Sequence, residues 1–339
     1  MKAVVGGVLV LAMGMCASRE VVAAETDQFL VWGRELRDSS EALNRYFNSE
    51  IESFLEEINA HRGHAVAADE LTLGVFLHFF RIFCDSRLKD WIQHSGEVDR
   101  YPAESVGYWE YRQMSIYREL ALPFVIAAMS PTIRVGEVYL GVDKISHFFG
   151  FGRRYYSSYL RLRGRGLAEQ EAVERVLLRG VLQEQTFFGG ATSGIFSGAD
   201  LEANYQGLLL ARNLCGGATP YIEKVAGAWR LVRPVDFRDY VTPDFDESYN
   251  CPRYWDWREG KVLPLIEEQY ATKLGDPGVQ ARLATYREHE PSLCMKVIAE
   301  HFDGKKDPMR QITPDAWMKG TERAAVRPLR RAGHPMHGG

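Results

Sequence analysis

The chain has 339 residues, with 41 lysines and arginines against 45 aspartates and glutamates, a formal charge of −4, and it is 46% apolar, 25% charged and 12% aromatic. That is globular composition with enough chain to bury a sizeable core in one or two domains. It excludes a highly charged disordered chain, and the near-neutral balance gives no electrostatic case for binding nucleic acid.

In chain order, Lys2 precedes an apolar run over residues 3–18, and Val22-Ala23-Ala24 offers small residues for cleavage. We read 1–24 as an export signal, which makes the chain exported and periplasmic. The alternative is an N-terminal anchor in the inner membrane, because the run is only slightly shorter than the roughly 17 residues that a spanning helix needs. Lipidation at Cys16 is disfavoured, since Met15 is bulky where a small residue is wanted. Later apolar stretches, 71–84 and 120–133, are short and interrupted by charge or proline. They read as core helices or as a peripheral membrane association, not as spans.

Capping residues at 38–40, then Leu43, Phe47, Ile51, Leu55 and Ile58, predict a helix to about His61 with one apolar face. A second helical period runs from Leu71 to Ile92, and a third from about Glu104 to Met129 with a kink or break at Pro123. Tyr108, Trp109 and Tyr111 in that third element are expected in the core. The best strand signal is a hairpin, 132–135 and 138–140 around Gly136-Glu137. Helices follow at about 142–163, 168–188 and 198–214, then a short strand at 229–232 and a long ordered loop at 241–256. Helical spacing resumes at 262–270 and 292–302. The expected fold class is mainly α, a helical bundle with a short β-hairpin and an irregular C-terminal extension. Its expected divisions are 1–24, a helical domain over 25–238, the extension over 239–319 and a disordered basic tail over 320–339.

Without Cys16, four cysteines remain, which suits two disulfides in an exported protein. The favoured pairs are Cys251 with Cys294 and Cys84 with Cys215, and the alternative is four reduced, buried thiols. No Cys-x-x-Cys or zinc-type cluster is present. The acidic 244–247 run lacks the glycine and later glutamate of a calcium loop and reads as a solvated turn. His61 with His64, and His334 with His337, read as surface contacts.

Three polar sets interrupt apolar helices: Asp143, Lys144 and His147; Glu184; and Asp200, Asn204 and Gly207. Residues four apart share a helix face, so Asp143 with His147, and Asp200 with Asn204, can converge from neighbouring helices. Gly207 allows close approach of a helix or ligand. Such a pocket suits a polar ligand or an imidazole general base oriented by a carboxylate, with His147, Glu184 and Asp200 as catalytic candidates. A divalent metal is a further alternative, weakened by the single histidine. Thr186, Ser193 and Ser197 lie nearby without a nucleophile elbow. In a purely structural reading, Asp143 and Asp200 cap helices and His147, Glu184 and Asn204 satisfy one another.

The order Asp143-Lys144-x-x-His147-Phe148, Glu184, Asp200-x-x-x-Asn204-x-x-Gly207 resembles VanZ-like envelope proteins. Its opening is similar to Asp-Lys-x-x-His-Phe periplasmic lipoproteins. Gly141, Gly190, Gly194, Phe196, Ser197 and Tyr205 resemble a group of exported bacterial proteins of undefined activity. The resemblance implies an envelope protein binding an envelope component or small polar ligand. VanZ-like members are associated with resistance to teicoplanin-type glycopeptides and are polytopic. Here Phe187 stands where they carry Gln, the Arg before Asp200 is missing, and their spanning helices are absent from the sequence, so resistance is not carried over. The alternatives are a hydrolase of envelope esters, phosphates or glycans acting through His147 and Glu184, and a scaffolding protein whose motif is a packing network.

Overall fold

The computed structural model describes residues 24–62, 65–80, 86–119, 128–189, 193–304 and 309–311. Residues 1–23 of the expected leader, Cys84, His64, the Pro123 break, Gly190 and the basic tail lie outside them. The fold is mainly α, as the periodicity requires, with ten α-helices and a few short strands among the described residues. None of these helices is long and apolar enough to cross a membrane.

Strand β1 (Ala24–Glu25) leads to helix α1 (Ser40–His61), whose buried stripe Leu43, Phe47, Ile51 and Leu55 repeats every fourth residue. Asp38 does the capping work: its Oδ1 accepts from Ser40 N at 2.9 Å and from Gly136 N at 2.8 Å, tying the helix start to the hairpin turn. The expected single helix over 71–92 is two, α2 (Ala68–Phe79) and α3 (Arg87–His94). Phe80 turns extended, and its ring lies where α5 carries Gly150, within 2.7 Å of the position a Cβ there would take. That contact ends the helical run.

Strand β2 (Arg100–Tyr101) precedes α4 (Tyr108–Met114), far shorter than the expected third helix. Ser115 is extended and Ile116 N donates to the buried carboxylate of Asp27 at 2.8 Å, so a remote acceptor takes the donor that would have continued the helix. Tyr111 is buried with its hydroxyl donating to Ser130 O, but Trp109 is 64% exposed and not core.

Next come β3 (Ala128–Met129), parallel to β1, and the hairpin β4 (Thr132–Val135) and β5 (Val138–Gly141), paired with Thr132 opposite Gly141 and β2 on the outer side of β4. Gly136 has φ +59, as the turn requires. β5 runs directly into α5 (Val142–Gly164), followed by α6 (Glu169–Gln183) and a π-turn at Glu184–Phe188. After β6 (Ile195–Phe196) comes α7 (Gly198–Leu214), which crosses α5 closely: a Cβ on Gly207 would overlap the Phe148 carbonyl oxygen and lie 3.0 Å from Gly152 Cα. Gly207 therefore gives the close helix approach that its position allows.

A second hairpin, β7 (Ile222–Val225) and β8 (Ala228–Leu231), is followed by β9 (Arg253–Trp255), α8 (Asp256–Tyr270), α9 (Pro277–Arg287), α10 (Leu293–Phe302) and β10 (Met309–Gln311). β9 is central between β6 and β10. The main core runs from Leu43 through α5 and α7 to Tyr286, Ile298, Phe302 and Met309, so residues of the helical part and the extension pack together.

Two expectations fail here. Cys251 and Cys294 are free thiols, because Cys251 packs with Tyr254, Val262 and Leu265 while Cys294 belongs to the main core. Cys215 is also a free thiol. The 244–247 run is not solvated: Asp244, Asp246 and Glu247 are all buried.

Candidate functional site

Three segments meet where α5 begins. Gly141 is required at this corner, since a Cβ there would overlap Asp143 Oδ1 and lie 2.7 Å from Thr26 Cβ. Asp143 thereby accepts from Thr26 Oγ1 at 2.6 Å. Lys144, 1% exposed, places its ammonium among three carboxylates: Asp143 Oδ2 at 2.6 Å, Asp200 Oδ1 at 2.7 Å and Glu247 Oε1 at 2.9 Å. An ammonium carries three protons, and each finds an acceptor, which is what makes its burial tolerable. Burial alone would lower Lys144, but Asp143, Asp200 and Glu247 outweigh it and hold the amine well above its ordinary range.

Ser197 connects two of these groups. It is the N-cap of α7, its Oγ accepting from Asp200 N at 3.0 Å and donating to Glu247 Oε1 at 2.6 Å. Asp200 is thus free of the capping role and points its second oxygen at His147 Nε2, 3.4 Å away. The other ring nitrogen, Nδ1, lies 3.3 Å from Asn204 Oδ1, and the imidazole stacks on Phe151 with centroids 5.2 Å apart. Burial would raise the Asp200 carboxyl, yet His147 and Lys144 hold it below its usual value.

Glu184 opens the π-turn that ends α6, a distortion that shifts the register of the chain's last turn. Its Oε1 accepts weakly from Ser197 N at 3.4 Å, and a Cβ on Gly189 would overlap that oxygen. Burial, then the Asp200 charge, pushes Glu184 up to about 8. Glu247 is raised to about 7, chiefly by burial, with Lys144 acting against the rise and Asp200 for it. Glu25 is also held well above its ordinary value by burial and by Glu247 and Asp200. Within one cluster, burial thus favours the protonated form of Glu184 while His147 and Lys144 favour the ionised form of Asp200.

The structure brings Asp143, Lys144, His147, Glu184, Asp200 and Asn204 to one network. Thr26, Glu25 and Glu247 join the site from segments outside the three polar sets, and Ser197, which the sequence places nearby, enters it as a helix cap and not as a nucleophile. Ser197 was findable as a cap three residues before Asp200. Glu247 was not, because it is about a hundred residues from Lys144 and looked like part of a solvated turn. A second buried acid, Glu202, faces away from this network, accepting from Gln206 Nε2 at 2.7 Å and Ser292 Oγ at 2.5 Å. Among the described residues no three His, Cys, Asp or Glu side chains form a set that could hold a metal ion.

Fold and site together define a mainly α protein with a buried lysine–carboxylate network that emerges at a histidine–aspartate pair. No family model, no curated protein and no solved structure matches the chain.

Proposed function

We propose that the chain is an exported cell-envelope protein whose His147, Asp200 and Asn204 face binds a small polar ligand of the envelope. The observation that carries this reading is the gradient of exposure along one network. The side chains of Lys144, Asp143 and Glu247 are 1, 3 and 4% exposed, whereas His147 and Asp200 retain 12 and 16%. The inner end has every ammonium proton satisfied and acts as a rigid support. The outer end keeps a ring nitrogen and a carboxylate oxygen in a loose 3.4 Å pair that an incoming polar group can enter. Export is supported by Lys2, the apolar 3–18 run and the small residues before Glu25.

The test compares parent and His147→Gln protein, both purified from envelope extracts, by mass spectrometry of released small molecules. The expected result is a retained polar compound that the variant loses while its melting temperature stays within a few degrees. A variant that unfolds, or a parent that retains nothing, removes the binding reading.

One observation favours a second reading, hydrolysis. The part-exposed His147–Asp200 pair belongs to the same network as buried Glu184, whose carboxyl burial raises, so an imidazole and a proton-holding acid are available together. Turnover of an envelope ester, phosphate or glycan that falls at least about a hundredfold in Glu184→Gln supports it. Equal turnover in parent and variant argues against it.

A further inference from the structure

Away from the Lys144 network, a depression of about 480 Å3 opens between the chain around Gly33, the β4–β5 hairpin and α9. Its charged lining comprises Arg34, Arg134 and Arg282 with Glu35, Glu137 and Asp276. The acids are already engaged. Glu35 and Glu137 face Arg134 at 3.6 and 3.0 Å, and Asp276 accepts from Gly278 N and Val279 N at the start of α9. Arg134 also donates to the carbonyls of Gly136 and Leu36.

Arg34 and Arg282 differ. Arg34 lies 4.0 Å over the Tyr101 ring and Arg282 4.2 Å over the Tyr139 ring. Among the described residues neither guanidinium has a hydrogen-bond acceptor or a carboxylate within ion-pair distance, and Arg282 Nη1 is buried without a partner. Buried Asp246 feels Arg282 from the protein side, but no hydrogen bond joins them. Stacking on an aromatic ring fixes the guanidinium plane, so exposed Arg34 offers its N–H edge to a planar or tetrahedral oxyanion, while Arg282, with Nη1 buried, contributes from the wall of the depression. The wall is rigid, because Tyr286 Oη accepts from Tyr139 N at 3.0 Å and donates to Glu137 O at 3.2 Å. The volume lies in the roughly 300–1,000 Å3 range of small-molecule sites.

We propose that this depression is an anion-binding site in which Arg34 and Arg282 hold the carboxylate or phosphoryl group of a small solute. It is separate from the His147 face, so its test bears on neither reading above. The probes are succinate and inorganic phosphate, titrated calorimetrically into the full chain at low and high salt. At least one should bind more tightly than about 10 mM, more weakly as salt rises, and the preferred anion tells whether a carboxylate or a phosphoryl group is the natural determinant. Arg34→Gln, at an exposed side chain outside the core, should weaken that binding about tenfold, and Arg282→Gln likewise. The proposal is overturned if neither anion binds by about 10 mM, or if Arg34→Gln binds as the parent does.

Discussion

Glu202 shows what a single buried carboxyl does to the whole chain. Burial pushes it up to about 7, although Gln206 and Ser292 donate to it and favour the charged form. In the unfolded chain it titrates near 4.5, so between about pH 4.5 and 7 the folded state holds the proton more tightly. Stability conferred below that window is therefore lost as pH rises through it, by up to about 3 kcal/mol. Glu247 and Glu184, raised to about 7 and about 8, act in the same direction. Glu202→Gln removes one of these titrations, so urea unfolding at pH 5 and pH 8 should give a smaller difference for the variant than for the parent. Equal differences would mean that Glu202 is ionised in the folded protein. Nothing near residue 202 in the sequence announces this, because Ser292, which donates to it, is 90 residues away.

Among elements, α5 and α7 set the geometry of the site, and their contact rests on two glycines. A methyl group on Gly207 has no room between the Phe148 carbonyl and Gly152, so Gly207→Ala should cost about 3 kcal/mol by forcing the helices apart. Gly260 in α8 is exposed with nothing within 4 Å of its would-be Cβ. Gly260→Ala should instead stabilise by about 0.5–1 kcal/mol, since only the backbone entropy changes. Denaturant melts of the two variants check both signs. At this scale the sequence is readable: α1, α5, α7 and the β4–β5 hairpin fall close to the limits that periodicity, capping and turn residues indicate. The failures have identifiable rivals. Phe80 packing at Gly150 ends α2, and Asp27 taking the Ile116 donor ends α4.

For the whole molecule, the expected division at residue 238 can be tested directly. Glu247 supplies the third acceptor of Lys144, and Tyr286, Ile298, Phe302 and Met309 lie in the core built by α1, α5 and α7. A fragment of residues 25–238 loses both, so it should show no cooperative thermal transition by circular dichroism. A fragment melting as sharply as the full chain would make the extension a separate unit. The pairing of Cys251 with Cys294 failed at this same scale: an even cysteine count says nothing about which core each thiol enters.

By itself the sequence determined the mainly α class, the principal helices and the polar residues Asp143, Lys144, His147, Glu184, Asp200 and Asn204. These depend on interactions within a few turns of chain, which periodicity and capping record. The tertiary structure alone decided that Glu247 is the third acceptor of a buried lysine, that Gly207 is a helix crossing point, and that Arg34 and Arg282 share a depression. Those outcomes depend on burial and on partners brought from remote segments, and such partners leave no local pattern to read.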